Sequence, residues 1–196
     1  MAHRWGPHAA NLVTGLRVLL TPGFTLAVWF ADRSLLVGIG AVAIFAVVAA
    51  SDVLDGRLAR RFGAASNAGR VFDHLADIGF LVCALSTYVG LGIAPWWVPA
   101  TIAAAFALYV VDSWWRTPLA APGLVGSRLG HIGGVCNYVL VGVLVCNNTM
   151  RIHALSPMPL TILFCCVPLY SAGAAVARLL ARRGALPVAQ LAPTGE

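Results

Sequence analysis

The chain contains no lysine, and only 10% of its 196 residues are charged, whereas 60% are hydrophobic. Soluble domains carry about 25% charged residues, so this composition excludes an ordinary soluble domain and indicates a membrane protein. The 13 basic residues are all arginines, and the net charge is +6. Because the arginines lie mostly between apolar runs, membrane topology and phosphate binding explain them better than a nucleic-acid partner does.

Other features are missing as well. The five cysteines form no CxxC pair with histidine partners, so packing within apolar runs explains them better than a zinc site does. The first apolar run carries Arg17 and lacks a clear small-residue cleavage site, which argues against a cleaved signal peptide. Without repeats or low-complexity segments, one membrane domain is expected over residues 1–196, with a short N-terminal segment (about 1–10) and a flexible tail (182–196).

Six apolar runs divide the chain, at about 12–31, 35–50, 71–91, 96–115, 129–145 and 159–180. A helix of about 20 residues crosses a hydrocarbon core of about 30 Å. The predicted fold class is therefore an all-α integral membrane protein with six transmembrane helices. The second helix is expected to continue beyond the membrane as far as Arg60, and a short connection containing Gly63 and Ser66 follows it.

The arginines are distributed unequally between the two sides of the predicted bundle. Arg33 and Arg151 lie on one side, whereas the other side holds Arg4, Arg57, Arg60, Arg61, Arg70, Arg116, Arg128, Arg178, Arg182 and Arg183. Cytoplasmic loops of membrane proteins carry the excess of basic residues. Both termini are therefore predicted to face the cytoplasm.

Four of the seven acidic residues lie within positions 52–77, on the same predicted cytoplasmic side. Asp52 and Asp55 are three residues apart, and Asp73 and Asp77 are four apart, so each pair shares one helix face. A carboxylate in a bilayer costs roughly 2.5–3.5 kcal/mol on insertion scales, which makes such residues functional candidates. Carboxylate oxygens suit Mg²⁺ or Mn²⁺, and two such ions could hold a diphosphate.

Small residues accompany these acids. Gly56 and Ala59 lie on the face of Asp52, and Gly69 precedes Asp73 by one helical turn, which leaves room for a large ligand. A simpler alternative is that the acids only pair with arginines across helices, but this explains neither the glycines nor the spacing. An ion transporter is a further alternative, and it predicts acids on several spans or a repeat in the two halves.

The spacing as a whole resembles a known motif, that of the CDP-alcohol phosphotransferase family. The sequence matches all eight fixed positions: Asp52-x2-Asp55-Gly56-x2-Ala59-Arg60-x8-Gly69-x3-Asp73-x3-Asp77. A random match is on the order of one in 10¹⁰ per start position. The family's first-span pattern is also similar to Asn11-x2-Thr14-x2-Arg17 in this chain. We expect Arg17 to face the active-site cavity, because an unpaired arginine facing lipid would be costly.

The resemblance implies an enzyme that moves a substituted phosphate from a CDP-alcohol to a second alcohol and releases CMP. It implies that Asp52, Asp55 and Asp73 bind two Mg²⁺ or Mn²⁺ ions. Asp77 would touch one ion and act as the general base for the acceptor hydroxyl. The residues implied to contact CDP are Asn11, Thr14, Asp52, Gly56, Ala59, Arg60, Gly69 and Asp73. A homodimer in the cell (inner) membrane, with its active site at the cytoplasmic face, is also implied.

The expected substrates are those of small bacterial phosphatidylglycerophosphate synthases, which this chain resembles in length. The expected donor is CDP-diacylglycerol, and the expected acceptor is glycerol 3-phosphate. Candidate acceptor contacts are Arg116, Arg128 and His131. This chain departs from the sequence pattern of those synthases at His74, Ile78 and Asp112. These departures leave inositol phosphate, serine or another polar alcohol as alternative acceptors. A non-catalytic member of the family is less consistent with the intact motif.

Overall fold

Six α-helices account for most of this computed structural model, which describes residues 6–62, 67–116, 128–149 and 155–184. The side chains described are those of 14–51, 69, 71–113, 130–149 and 155–180. The helices are α1 (Gly6–Trp29), α2 (Leu35–Phe62), α3 (Asn67–Gly90), α4 (Trp97–Arg116), α5 (Arg128–Leu144) and α6 (Pro157–Gly184). The described residues contain no strand, so the predicted all-α class is confirmed.

The six helices coincide with the six predicted runs, but several of their ends differ from the prediction. Helix α2 continues past its apolar run, as predicted, and ends at Phe62, two residues beyond the predicted Arg60. Helices α1 and α3 begin several residues before their apolar runs. Polar flanking residues such as Asn67 continue a helix without contributing to its apolar signal, so hydrophobicity alone places these ends too late. The predicted connection at Gly63 and Ser66 lies outside the described residues.

Three segments within the described residues are long and apolar enough to cross a membrane, judged by length and composition. They are Val71–Gly90, Gly130–Thr149 and Pro157–Leu180. The third and fifth predicted runs match the first two segments, and the sixth matches the last. Two shorter apolar helical segments, Leu35–Ser51 and Trp97–Ser113, correspond to the second and fourth predicted runs.

The bundle has an apolar core, but it also buries charged side chains and exposes large apolar ones. Arg17, Asp112 and Ser113 are buried, whereas Leu19 and Leu36 are strongly exposed. Soluble proteins seldom bury charged side chains or expose large contiguous apolar surfaces. Polar groups inside and apolar groups outside are what a lipid environment favours, because lipid solvates the outer surface and cannot solvate charge.

The helices pack as two groups joined by α3. Helix α1 packs against α2 and α3, whereas α4 and α5 both pack on α6, and α3 contacts α4 and α5. Aromatic rings fill the junction: the Phe24 and Phe80 ring centroids are 5.1 Å apart, and the Phe80 and Tyr138 centroids are 6.1 Å apart. Because Tyr138 belongs to α5, this stacking brings α5 beside the middle of α3.

A Schellman motif ends α3. The N–H of Ile93 donates to the carbonyl of Tyr88, and the N–H of Gly92 donates to the carbonyl of Val89, each at 2.9 Å. Gly92 has φ 72°, a left-handed conformation that glycine adopts without the steric cost other residues bear. The motif fixes where α3 ends and where the chain turns toward α4.

Candidate active site

Helix α3 presents two carboxylates on one face. Asp73 and Asp77 lie four residues apart, and their side chains are 26% and 19% exposed. Helical periodicity places the two residues one above the other. Partial exposure means that both carboxylates are packed by protein and still reachable from outside it.

Arg17 of α1 lies against both carboxylates, although its own side chain is completely buried. Its Nη1 donates to Asp73 Oδ1 at 3.1 Å and also contacts Asp77 Oδ1. Its Nη2 donates to the Ser51 hydroxyl of α2 at 3.3 Å. One guanidinium thus joins α1, α2 and α3, and the prediction that Arg17 does not face lipid is confirmed.

Two hydroxyl groups add further hydrogen bonds to the acids. Thr14 of α1 donates to Asp73 Oδ1 at 3.2 Å, and Tyr138 of α5 donates to Asp77 Oδ1 at 2.9 Å. Hydrogen bonds to a charged carboxylate are stronger than those between neutral groups, and they fix its orientation. Sequence reasoning missed Tyr138, because 61 residues separate it from Asp77 and no local pattern connects the two.

The geometry also bears on the simpler explanation of the acids. Asp73 and Asp77 do pair with an arginine across helices, and that arginine lies in α1. One nitrogen of Arg17 contacts both carboxylates, so the two converge on a single cationic position. Convergence on one cation is what two carboxylate ligands of a metal ion also require. The two carboxylates are thus arranged to share one cation, which is Arg17 Nη1 in this structure.

The remaining motif residues can be located only by their helices. Asn11 lies in α1 and Gly69 in the first turn of α3, while Asp52, Asp55, Gly56, Ala59 and Arg60 occupy the last turns of α2. Apart from Gly69, these side chains lie outside the described residues. Asp52 directly follows Ser51, whose hydroxyl accepts from Arg17, so α2 contacts the guanidinium one residue before the motif begins. Among the described side chains, no group of three His, Cys, Asp or Glu residues could hold a metal.

The predicted acceptor residues lie near two helix ends. Arg116 is the last residue of α4 and Arg128 the first of α5, and their side chains are outside the described residues. His131 is exposed in the first turn of α5. The residues between them, 117–127, lie outside the described part of the chain, and the acceptor assignment stays a prediction.

A second buried arginine lies between α4 and α6. Arg178 Nε donates to Asp112 Oδ2 at 2.5 Å, and its Nη2 donates to the Ser113 hydroxyl at 3.1 Å. The side chains of Arg178 and Asp112 are only 8% and 1% exposed. Arg178, grouped above with the C-terminal arginines, is therefore part of the bundle interior. The occurrence of Asp112 and Arg178 within apolar runs was the sequence signal that could have revealed this ion pair, but the sequence alone did not show that the two residues are partners.

An aromatic ring connects this second pair to α3. The Arg178 guanidinium carbon lies 4.5 Å from the centroid of the Tyr109 ring. The His74 ring stacks beside Tyr109, with centroids 6.2 Å apart and an interplanar angle of 14°. The buried Nδ1 of His74 has no hydrogen-bond partner among the described residues. His74, one of the departures from the phosphatidylglycerophosphate synthase pattern, thus contacts α4 through its ring.

The fold and the site together define a helical protein suited to a membrane, with carboxylates gathered on an internal cation. The family model for CDP-alcohol phosphatidyltransferase matches residues 7–181, and the chain belongs to this family of transferases. Similar proteins include the "Probable phosphatidylglycerophosphate synthase" of two Mycobacterium tuberculosis strains, CDC 1551 / Oshkosh and ATCC 25618 / H37Rv. Each is 37% identical over 94 residues, which cover 47% of this chain and 45% of the relative. The match thus spans less than half of those relatives' length.

Proposed function

We propose that this protein transfers a phosphatidyl group from CDP-diacylglycerol to glycerol 3-phosphate and releases CMP. The observation that carries the proposal is the convergence of Asp73 and Asp77, two partly exposed acids of the family motif, on one buried cation. The names of the Mycobacterium relatives favour glycerol 3-phosphate over other acceptors. Inositol phosphate and serine are the alternatives against which this choice is tested.

The proposed reaction exchanges one phosphorus–oxygen bond for another. The acceptor hydroxyl oxygen attacks the phosphorus that carries diacylglycerol, and the bond from that phosphorus to the oxygen shared with CMP breaks. The hydroxyl proton passes to the carboxylate of Asp77, which acts as general base. Tyr138 supports this role, because its hydrogen bond to Asp77 Oδ1 fixes the carboxylate in one orientation. Holding both substrates in line supplies a large part of the rate acceleration.

We infer that Asp52, Asp55, Asp73 and Asp77 hold divalent cations, Mg²⁺ or Mn²⁺, and that two ions bind. Two features support this inference: carboxylate oxygens are the donors these metals prefer, and Asp73 and Asp77 already accommodate a cationic nitrogen between them. When bound, the ions supply positive charge that stabilises the phosphates in the transition state. Thr14, through its bond to Asp73, keeps that carboxylate oriented.

The other predicted residues have proposed substrate contacts. Gly56, Ala59 and Gly69 let the nucleotide approach the helices closely, and Arg60 and Asn11 bind its polar groups. The acceptor contacts are Arg116, Arg128 and His131. An acceptor bearing phosphate needs such cationic groups, because charge-assisted hydrogen bonds are the strong ones for phosphate recognition.

We propose that all six helices cross the inner membrane, with both termini and the active site on the cytoplasmic side, and that two copies form a homodimer. The arginine distribution supports this orientation, since basic residues concentrate on the side that carries the acidic motif. The exposed apolar side chains on the helices support contact with lipid or a second copy.

The test is CMP release by the purified full chain in detergent or lipid nanodiscs. The reaction contains CDP-diacylglycerol, either Mg²⁺, Mn²⁺ or EDTA, and one acceptor at a time: glycerol 3-phosphate, inositol 1-phosphate, inositol or serine. Metal-dependent release with glycerol 3-phosphate, and the matching lipid product in a mass spectrum, is the expected result. Release with another acceptor alone would correct the substrate. No release with any acceptor, while CDP-diacylglycerol still binds, would contradict catalysis.

A further inference from the structure

We propose that Arg17 is a resident counter-ion for the Asp73–Asp77 pair: it holds the pair together before a metal binds, and a bound divalent cation then takes over that neutralising role. This inference rests on the metal dependence in the proposed function. It goes further, because it assigns a role to a residue that neither touches the reacting atoms nor ligates metal. Arg17 is in these terms a positioning residue.

The contacts of Arg17 are those of a counter-ion. Its guanidinium is fully buried, and its Nη1 lies against Oδ1 of both acids. The other amino group is anchored to the Ser51 hydroxyl, whose own hydrogen is donated to the Val48 carbonyl at 2.7 Å. Because the Ser51 hydroxyl donates its hydrogen to Val48, its oxygen acts as the acceptor for Arg17. The guanidinium is thus held from α2 while it faces α3.

The charges at the site require such a group. Two carboxylates on one helix face repel each other, and burial strengthens that repulsion because the surroundings screen it poorly. Arginine remains protonated at any physiological pH, so Arg17 supplies a permanent positive charge. Among the described side chains, one guanidinium and two carboxylates leave a net charge of −1. Arg17, Asp73 and Asp77 can therefore come together without a metal ion, and their remaining negative charge still attracts a cation.

Removing the charge of Arg17 should make the fold depend on metal. In Arg17→Gln the two carboxylates lose their counter-ion, and a divalent cation becomes the group that can neutralise them. Stability lost in EDTA but recovered with metal must appear as tighter metal binding, because the two quantities are legs of one thermodynamic cycle. The inference thus predicts an increase in metal affinity from a substitution beside the site.

The experiment compares the full-length protein and Arg17→Gln in the same detergent. Thermal unfolding is followed in EDTA and across a Mn²⁺ titration, and Mn²⁺ binding is measured by electron paramagnetic resonance. In Arg17→Gln we expect a Tm lower by about 5 °C or more in EDTA and largely restored by Mn²⁺. We also expect a Kd for Mn²⁺ at least about tenfold tighter than in the unmodified protein.

A matched control is available in Arg178, the other buried arginine bonded to an aspartate. Arg178→Gln should lower the Tm in EDTA, yet its Tm gain with Mn²⁺ and its Kd should equal those of the unmodified protein. Arg17→Lys keeps the positive charge on a single donor group. It should bind Mn²⁺ within about threefold of the unmodified protein, since the charge is what matters.

Several results would overturn the inference. Arg17→Gln with an unchanged or weaker Kd for Mn²⁺ would mean that Arg17 only packs, or that it supports the metal-bound state. If Arg17→Gln does not fold, the double variant Arg17→Gln/Asp73→Asn decides, because it restores the net charge of −1. Folding of the double variant in EDTA is expected, and its failure counts against the counter-ion role. If the unmodified protein binds no Mn²⁺, the proposed metal dependence fails and this inference fails with it.

Discussion

Among the described side chains, two arginines are buried and each contacts aspartate, but the aspartates differ in how exposed they are. Arg17 contacts two carboxylates whose side chains are 26% and 19% exposed. The carboxylate that Arg178 contacts belongs to Asp112, which is 1% exposed. The open cluster consists of Arg17, Asp73 and Asp77 with Thr14, Ser51 and Tyr138, and it joins α1, α2, α3 and α5. The closed cluster consists of Arg178 and Asp112, and it joins α4 to α6.

The difference teaches what separates a ligand site from a structural ion pair. Arg178 and Asp112 carry opposite single charges, and both side chains are buried. This pair therefore has neither a surplus charge nor an exposed carboxylate with which to bind a further ion. The open cluster has, among its described side chains, one more negative than positive charge, and its two carboxylates remain partly exposed. Breaking a buried ion pair is costly in either place, because an uncompensated charge is left behind. Surplus charge together with access, rather than burial of an arginine, therefore marks the functional cluster.

The largest expected effect is on Asp77 of the open cluster. Asp77→Asn should lower kcat by about 10³-fold, because a general base typically contributes 10²–10⁴-fold. Binding of CDP-diacylglycerol should persist, since the amide keeps the size of the carboxyl group. The measurement pairs CMP release with a CDP-diacylglycerol binding assay. Asp32→Asn, at an exposed aspartate after α1, is the control and should retain full activity.

A different outcome would reassign Asp77. Loss of CDP-diacylglycerol binding in a folded Asp77→Asn protein would make this residue chiefly a metal ligand. Retention of more than about a tenth of kcat would remove it as general base, because the expected loss is far larger.

The closed cluster should respond in stability, and the response should not depend on metal. Asp112→Asn leaves the Arg178 guanidinium buried opposite a neutral group, which should cost about 3–5 kcal/mol of unfolding free energy. The double variant Asp112→Asn/Arg178→Gln removes both charges and should recover part of that loss. Thermal unfolding with EDTA and with Mn²⁺ measures both variants. A loss that Mn²⁺ reverses would contradict the separation between the clusters.

The hydroxyl groups of Tyr138, which lies beside α3, and of Tyr88, which lies in α3, can be compared in the same way. Tyr138→Phe removes the hydrogen bond to Asp77 but keeps the ring stacked on Phe80, so kcat should fall about tenfold with little change in stability. Tyr88→Phe removes a buried hydrogen bond to Thr149 of 2.7 Å, away from the acids. It should lower the Tm and leave kcat unchanged. Equal effects of both variants on kcat would remove Tyr138 as a positioning group for Asp77.

The sequence predicts the helices well for a physical reason. Each of the six apolar runs coincides with a helix, since a segment in lipid must satisfy its backbone hydrogen bonds internally. The helix ends are predicted less well, because polar residues before Leu12 and Val71 continue α1 and α3 without an apolar signal. In the site, an arginine within an apolar run was enough to predict that Arg17 faces inward.

The contacts between distant segments could not be predicted in the same way. Tyr138 and Asp77 are 61 residues apart, and Arg178 and Asp112 are 66 apart. These pairs form only after α5 packs beside α3 and α6 packs beside α4. Hydrophobic periodicity identifies a helix and its buried face, but it carries no information about which helix will be the neighbour. The geometry around Asp73 and Asp77 therefore required the structure.

The smallest expected effect concerns the hydroxyl groups at the edges of the two clusters. Thr14→Val keeps the shape of the side chain but removes the hydrogen bond of 3.2 Å to Asp73, so Mn²⁺ affinity should fall about three- to tenfold. Thr14→Ser retains the hydroxyl and should restore most of the affinity. Ser113→Ala, which removes the corresponding hydroxyl beside Arg178, should lower the Tm slightly and leave Mn²⁺ binding unchanged. If Thr14→Val and Thr14→Ser bind Mn²⁺ equally, the hydroxyl does not orient Asp73, and the open cluster then depends on Arg17 and Tyr138 for that orientation.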